Sequence, residues 1–109
     1  MRARERLGDR LGTAEALYQM ASIPYYRQNF ERAEYLLKQA AAIQKALGDK
    51  SGHIRTLRRF ADATLARGDS SQAQEHCRQA LALSVELQDQ GELASALYTL
   101  CRIHRAQGD

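Results

Sequence analysis

Apolar positions along the chain fall at helical spacing in successive stretches. Phe30, Ala33, Leu37, Ala40, Ile43 and Leu47 recur every three or four residues, as one face of a helix requires. Leu17, Met20, Ala21 and Ile23 follow the same spacing more loosely. Short polar breaks separate the stretches: Gln28-Asn29, Leu47-Gly48-Asp49, Gly68-Asp69 and Leu87-Gln88-Asp89. Gly or Asn supplies a left-handed C-terminal turn, and the following Asp, Asn or Ser caps the next helix. The pattern predicts helices at about 12–27, 30–47, 51–67, 70–87 and 91–107. Leu7-Gly8-Asp9 carries the same punctuation, so residues 2–7 read as the end of a preceding second helix.

The punctuation is periodic. Leu7-Gly8-Asp9, Leu47-Gly48-Asp49 and Leu87-Gln88-Asp89 recur at a spacing of 40. Residues 11–50 slide onto 51–90 without a gap and give ten identities, among them Gly12/Gly52, Leu17/Leu57, Ala21/Ala61, Ala33/Ala73 and Ala40/Ala80. The match runs on through Leu57/Leu97 and Gly68/Gly108. Small residues recur where helices must approach closely, near the short end of the ~8–10 Å range of axis separations. Larger neighbours such as Leu37, Phe60, Cys77 and Leu100 fill the layers between. Two helix-turn-helix units and the first helix of a third result.

Composition narrows the class. Ala, Leu, Arg and Gln make up half of the 109 residues, and all favour helices. Val, Ile and Thr together number nine, too few for a sheet protein. No apolar run approaches the ~18 residues of a membrane span, no signal-peptide core follows Met1, and two cysteines make no disulfide framework. A soluble, cytoplasmic, all-α protein is expected. The net charge of +3 is too mild to imply nucleic acid.

Chemistry is sparse. His76-Cys77 and Cys101-x-x-His104 invite a zinc reading, but zinc takes four co-directed ligands. Cys77 and Cys101 fall on the predicted core side, whereas His76 points elsewhere. Neither a metal nor a Cys77–Cys101 bridge is expected. The three histidines find no partner at catalytic spacing, and no glycine-rich phosphate loop exists. No cofactor and no enzymatic activity are expected.

The order Leu17-x-x-Met20-Ala21, Gln28-Asn29-Phe30, Ala33-x-x-x-Leu37-x-x-Ala40 resembles the tetratricopeptide repeat. So do Leu57-x-x-Phe60-Ala61, Gly68-Asp69-Ser70 and Ala73-x-x-x-Cys77-x-x-Ala80. The family's usual period is 34. The period of 40 here looks like the longer variant of kinesin light chains, spindle-orientation adaptors and many bacterial regulators. The resemblance implies a right-handed α-solenoid of two and a half repeats, at about 11–50, 51–90 and 91–109. It also implies a protein-interaction module that binds a peptide or partner helix in a concave groove lined by first helices. Carried over position by position, the groove holds Glu15, Tyr18, Gln19, Ser22, Tyr25 and Tyr26, then Arg55, Arg58, Arg59, Asp62 and Leu65, then Ser95, Tyr98, Thr99, Arg102 and Arg105.

On that mapping five arginines face Glu15 and Asp62, with tyrosines beside them. Arginine forks onto carboxylates, and tyrosine gives rigid contact area with a polar tip. An acidic peptide or helix is the expected occupant; the alternative is a solvated face of internal ion pairs. Tyr18 and Ser22 stand where the chaperone-tail clamp of this family has Lys and Asn, which argues against that ligand. Pro24 either kinks the first helix, aiming Tyr25 and Tyr26 into the groove, or bends its end harmlessly. The last helix presents Leu93, Leu97, Leu100, Cys101 and Ile103 at core spacing. Part of that stripe expects a cover, which makes Leu93, Leu97, Leu100 and Ile103 candidates for self-association. The chain reads as one domain, an excerpt of a longer array, with a bacterial regulator's sensor segment as a further alternative.

Overall fold

A computed structural model describes residues 3–108, with side chains from Asp9 onward. Its six helical segments are α1 (Ala3–Met20), α2 (Ser22–Tyr26), α3 (Phe30–Leu47), α4 (Lys50–Arg67), α5 (Ser70–Leu87) and α6 (Gln90–Ala106). No strand occurs among the described residues. Each helix packs on its neighbours in sequence, so the chain stacks as an extended solenoid measuring 53 × 34 × 18 Å.

The caps explain the regularity. Asn29, Asp49, Asp69 and Asp89 each accept a hydrogen bond from the backbone N–H three residues on, at 3.1 to 3.3 Å. Helices therefore start at Phe30, Lys50, Ser70 and Gln90, twenty residues apart. Gly48 and Gly68 close α3 and α4 in the left-handed region, at φ +73° and +100°. Gln28 and Gln88 serve the same turns at φ +64° and +55° despite carrying a Cβ.

Two expectations about the first helix are corrected. No break occurs at Leu7-Gly8-Asp9; α1 runs through it. Gly8 alone costs a helix about 1 kcal/mol, too little to stop one built of Ala, Arg, Glu and Leu. The predicted helix at 12–27 is instead divided at Ala21. Pro24 has no N–H to give the Met20 carbonyl, and the short α2 carries the chain on. Around the gap, Ala21 still donates to the Leu17 carbonyl and Tyr25 to that of Ala21, both at 3.1 Å.

The core lies between layers in three linked clusters. Ala21, Ala33, Leu36, Leu37 and Ala63 join α2's flank, α3 and α4. Ala61, Ala73, Cys77 and Ile103 join α4, α5 and α6. Ile54, Leu57 and Ala80 close the far edge. Fully buried alanines at each crossing let the axes come close. Gln44 is buried where α3 meets α4; with its amide oriented so that the nitrogen faces these acceptors, it donates to Thr56 Oγ1 at 2.7 Å and to the Gly52 and Ala40 carbonyls.

Candidate functional site

First helices α1, α4 and α6 present one polar face side by side. Residues 40 apart meet across it. Arg55 Nη2 donates to Glu15 Oε1 at 3.2 Å, and Arg102 Nη1 to Asp62 Oδ1 at 3.5 Å. The same register that aligns the repeats thus turns a row of sequence positions into a row of contacts.

Tyr18 sits at the centre of the N-terminal half. The guanidinium carbons of Arg55 and Arg59 both lie 5.3 Å from its ring centroid. Arg59 also donates to Ser22 Oγ at 3.3 Å and to the Tyr18 hydroxyl at 3.5 Å. Arg58 donates to Glu92 Oε1 at 2.7 Å, tying α4 to the start of α6. Its Nε is buried without an acceptor. These side chains and Asp62 enclose a cleft of about 210 Å³. A second cleft of about 340 Å³ continues it between Arg58, Asp62, Ser95, Tyr98, Thr99 and Arg102. Arg102 lies over the Tyr98 ring at 6.0 Å.

Electrostatics follow from partial burial. Burial raises the Asp62 carboxyl above its usual range, against the opposing pull of Arg102, Arg59 and Arg58. Burial, then the Asp62 charge, raises the Tyr25 phenol. Arg55, Arg58 and Arg102 each have a carboxylate partner, whereas Arg59 has none within 4.0 Å among the described residues. Its partners are hydroxyls and a ring.

The structure thus brings Tyr18, Ser22, Arg55, Arg58, Arg59, Asp62, Tyr98 and Arg102 to one face. Gln19 lies beside it, donating to Glu15 Oε2 at 3.0 Å. Arg105 is exposed further along α6. Tyr25, like Tyr18, packs against the Ala21–Leu37–Ala63 cluster; it lies edge-on to Phe30 at 5.7 Å, and Asp62, Arg102 and Arg59 act on its phenol. Tyr26 is 77% exposed and lies edge-on to the Tyr25 ring at 5.4 Å. Thr99 is buried and bonded to its own helix at the Ser95 carbonyl. Glu92 escaped the sequence reading because its repeat counterparts, Gly12 and Gly52, carry no side chain.

The α6 stripe needs correction. Ile103 is fully buried among Ala61, Ala73 and Cys77, so it has no surface to offer another copy. Leu93 and Leu100 are half-buried, and Leu97 is 51% exposed. Cys101, read as core, is exposed, while Cys77 is buried. α6 packs against α4 and α5 along one side of its stripe; Ile103 lies on that side and Cys101 on the other. No cluster of three potential metal ligands occurs among the described residues, and none of their helices is long and apolar enough to cross a membrane.

A stack of two-helix units with capped turns every twenty residues defines a helical-repeat protein. The chain belongs to the tetratricopeptide repeat family, whose description matches residues 13–84. The family's repeat is a non-catalytic scaffold for protein–protein interaction. No curated protein matches the chain.

Proposed function

We propose that the chain binds an acidic peptide or acidic partner helix along the face of α1, α4 and α6. One observation carries this reading. Four arginines line the face, three are matched by Glu15, Asp62 and Glu92, and Arg59 is held ready by Tyr18 and Ser22 without a carboxylate. A half-buried guanidinium forms stronger bonds with an anion than with hydroxyls. Tyr18 and Tyr98 supply rigid contact area on either side.

The test is fluorescence anisotropy with a labelled amphipathic peptide carrying Glu on its polar face, beside its Gln counterpart. The Glu peptide binds more tightly, and Arg59→Gln costs about tenfold, the ~1.4 kcal/mol expected of one charge-assisted bond. Equal affinity for both peptides, or an unchanged Kd in Arg59→Gln, overturns the acidic assignment. A salt titration separates this from nucleic-acid binding, which loses affinity with a steep log–log slope.

Self-association through Leu93, Leu97 and Leu100 is the second reading, favoured by the exposure of Leu97 and Cys101 on one side of α6. Light scattering over a concentration series tests it. A dimer lost in Leu97→Arg supports it, and a stable monomer removes it.

A further inference from the structure

The smaller cleft of the concave face is bounded by Tyr18, Arg55, Arg58, Arg59, Asp62 and Glu92 and encloses about 210 Å³. That is room for one ligand side chain rather than for a helix, whose diameter is about 10–12 Å. The charges around it nearly cancel. Arg55 is matched by Glu15 at 3.2 Å, Arg58 by Glu92 at 2.7 Å and Arg102, in the adjoining cleft, by Asp62 at 3.5 Å. Four arginines against three carboxylates leave a surplus of one positive charge, and Arg59 carries it.

Glu92 governs how much charge a ligand can bring. Its carboxylate reaches Arg58 from the first turn of α6. The Arg58 and Glu92 side chains are 33% and 23% exposed, so water screens the pair only in part. Arg58 stands on the wall shared by both clefts, with Nε buried and lacking an acceptor. A second negative charge entering beside it meets the Glu92 carboxylate already there. Asp62 opposes it too, since burial already raises that carboxyl against the pull of three arginines. Around Arg59, by contrast, the groups are neutral. The Ser22 and Tyr18 hydroxyls accept from it at 3.3 and 3.5 Å, and each keeps its own O–H to donate to a ligand oxygen. Both bonds are long, and a carboxylate oxygen replaces them with a shorter, charge-assisted one.

We infer that this cleft is an anchor pocket for a single carboxylate side chain, and that Glu92 is the residue that turns a phosphorylated side chain away. The inference rests on the concave-face reading above and adds the ligand's charge to it. Arginine clusters ordinarily favour phosphate. Here one carboxylate cancels the surplus on Arg59. A phosphoserine, at roughly −1.5 to −2 near neutral pH, brings further charge that Glu92 and Asp62 repel. Neutralising Glu92 leaves Arg58 unmatched beside Arg59 and opens the pocket to phosphate.

The probes are three versions of one labelled amphipathic peptide, with Glu, Gln or phosphoserine at a central polar position, followed by fluorescence anisotropy near neutral pH. On the parent chain the Glu peptide binds more tightly than either of the others. Glu92→Gln preserves shape and leaves the cap of α6 in place, because the backbone N–H of Glu92 makes that bond to Asp89. In this variant the ratio of the phosphoserine Kd to the Glu Kd falls about fivefold, the scale of one partly exposed ion pair. Glu75→Gln makes the same change in net charge on α5, at an exposed position outside the cleft, and leaves the ratio at its parent value. A purely structural loss in Glu92→Gln weakens both peptides alike; an unmoved ratio therefore overturns the inference. An equal fall in Glu75→Gln assigns the effect to overall charge and overturns it as well. If the phosphoserine peptide outbinds the Glu peptide on the parent while Glu still outbinds Gln, the concave-face reading stands and the selection for a single charge falls. Equal binding of all three peptides, or binding of none to either chain, overturns both.

Discussion

Gly12 and Gly52 occupy the same position in successive repeats, yet an added methyl group meets opposite surroundings. At Gly12, within α1, nothing lies within 4 Å of where a Cβ would stand. Gly12→Ala gains helix propensity with no steric cost, about 0.5–1 kcal/mol. At Gly52 the same methyl collides with the Asp49 carboxylate and stands 2.8 Å from the Gln44 amide. The Asp49 carboxylate cannot simply retreat, because it accepts the Gly52 N–H at 3.1 Å to cap α4. Losing that cap costs about 1 kcal/mol. Gln44 is buried and bonded to Thr56 and to the Gly52 carbonyl, and displacing its amide costs about 1–3 kcal/mol. After the propensity gain, Gly52→Ala is destabilising by about 1–3 kcal/mol. In a domain of this size 1 kcal/mol shifts Tm by roughly 4–8 °C. Thermal melts by circular dichroism should therefore show Gly12→Ala melting several degrees above the parent and Gly52→Ala below it. Two shifts of the same sign would refute the packing assigned to the α3–α4 turn.

The remaining predictions rest on other sites. Gln88→Gly relieves a left-handed residue at φ +55° and should raise the urea midpoint by the equivalent of about 1 kcal/mol; an unchanged midpoint counts against strain there. Leu37→Ala empties a fully buried position and should cost about 2–5 kcal/mol by chemical denaturation, with a cost under 1 kcal/mol contradicting the core assignment. The His76 ring stacks on Phe60 at 3.9 Å with both nitrogens buried and unpartnered, and burial lowers its pKa from 6.5 against the pull of Glu34. The unfolded chain then takes the proton first, so stability is full above about pH 6.5 and declines as pH falls toward the folded value. Half-buried His53, lowered by burial and Lys45, adds in the same direction. His76→Phe should flatten the pH dependence of the denaturation midpoint, and an unaltered slope would exonerate His76. Burial, and then Asp62, pushes the Cys77 thiol up to about 11, whereas Cys101 is exposed. A thiol reagent should label one cysteine rapidly in the folded chain, and mass mapping that finds Cys77 would contradict its placement.

The helix boundaries at Phe30, Leu47, Arg67, Ser70 and Leu87 were legible because Gly, Asn and Asp mark them with side chains that act locally. The division at Ala21 was less so. Pro24 announced a disturbance, but whether a helix bends or breaks depends on how α3 supports the following turn. Phase within α6 was the harder matter. Spacing alone put Ile103 and Cys101 on one apolar stripe, and only the direction from which α5 approaches decides that Ile103 is covered and Cys101 is not. The aligned rows of the concave face follow from the 40-residue register, which is why Glu15 meets Arg55 and Asp62 meets Arg102. The Arg58–Glu92 pair breaks that register and had no counterpart elsewhere in the chain to reveal it. The exposure of Met20 and Ile23 was not legible either, since their spacing reads as a core stripe.

Selection of binders from an unbiased peptide-display library, run in parallel on the parent chain and on Arg59→Gln, probes the concave face without presupposing a ligand. The account predicts an acidic consensus enriched on the parent and depleted on Arg59→Gln. A neutral or basic consensus, or equal enrichment on both chains, would contradict the claim that this face recognises an acidic partner through Arg59.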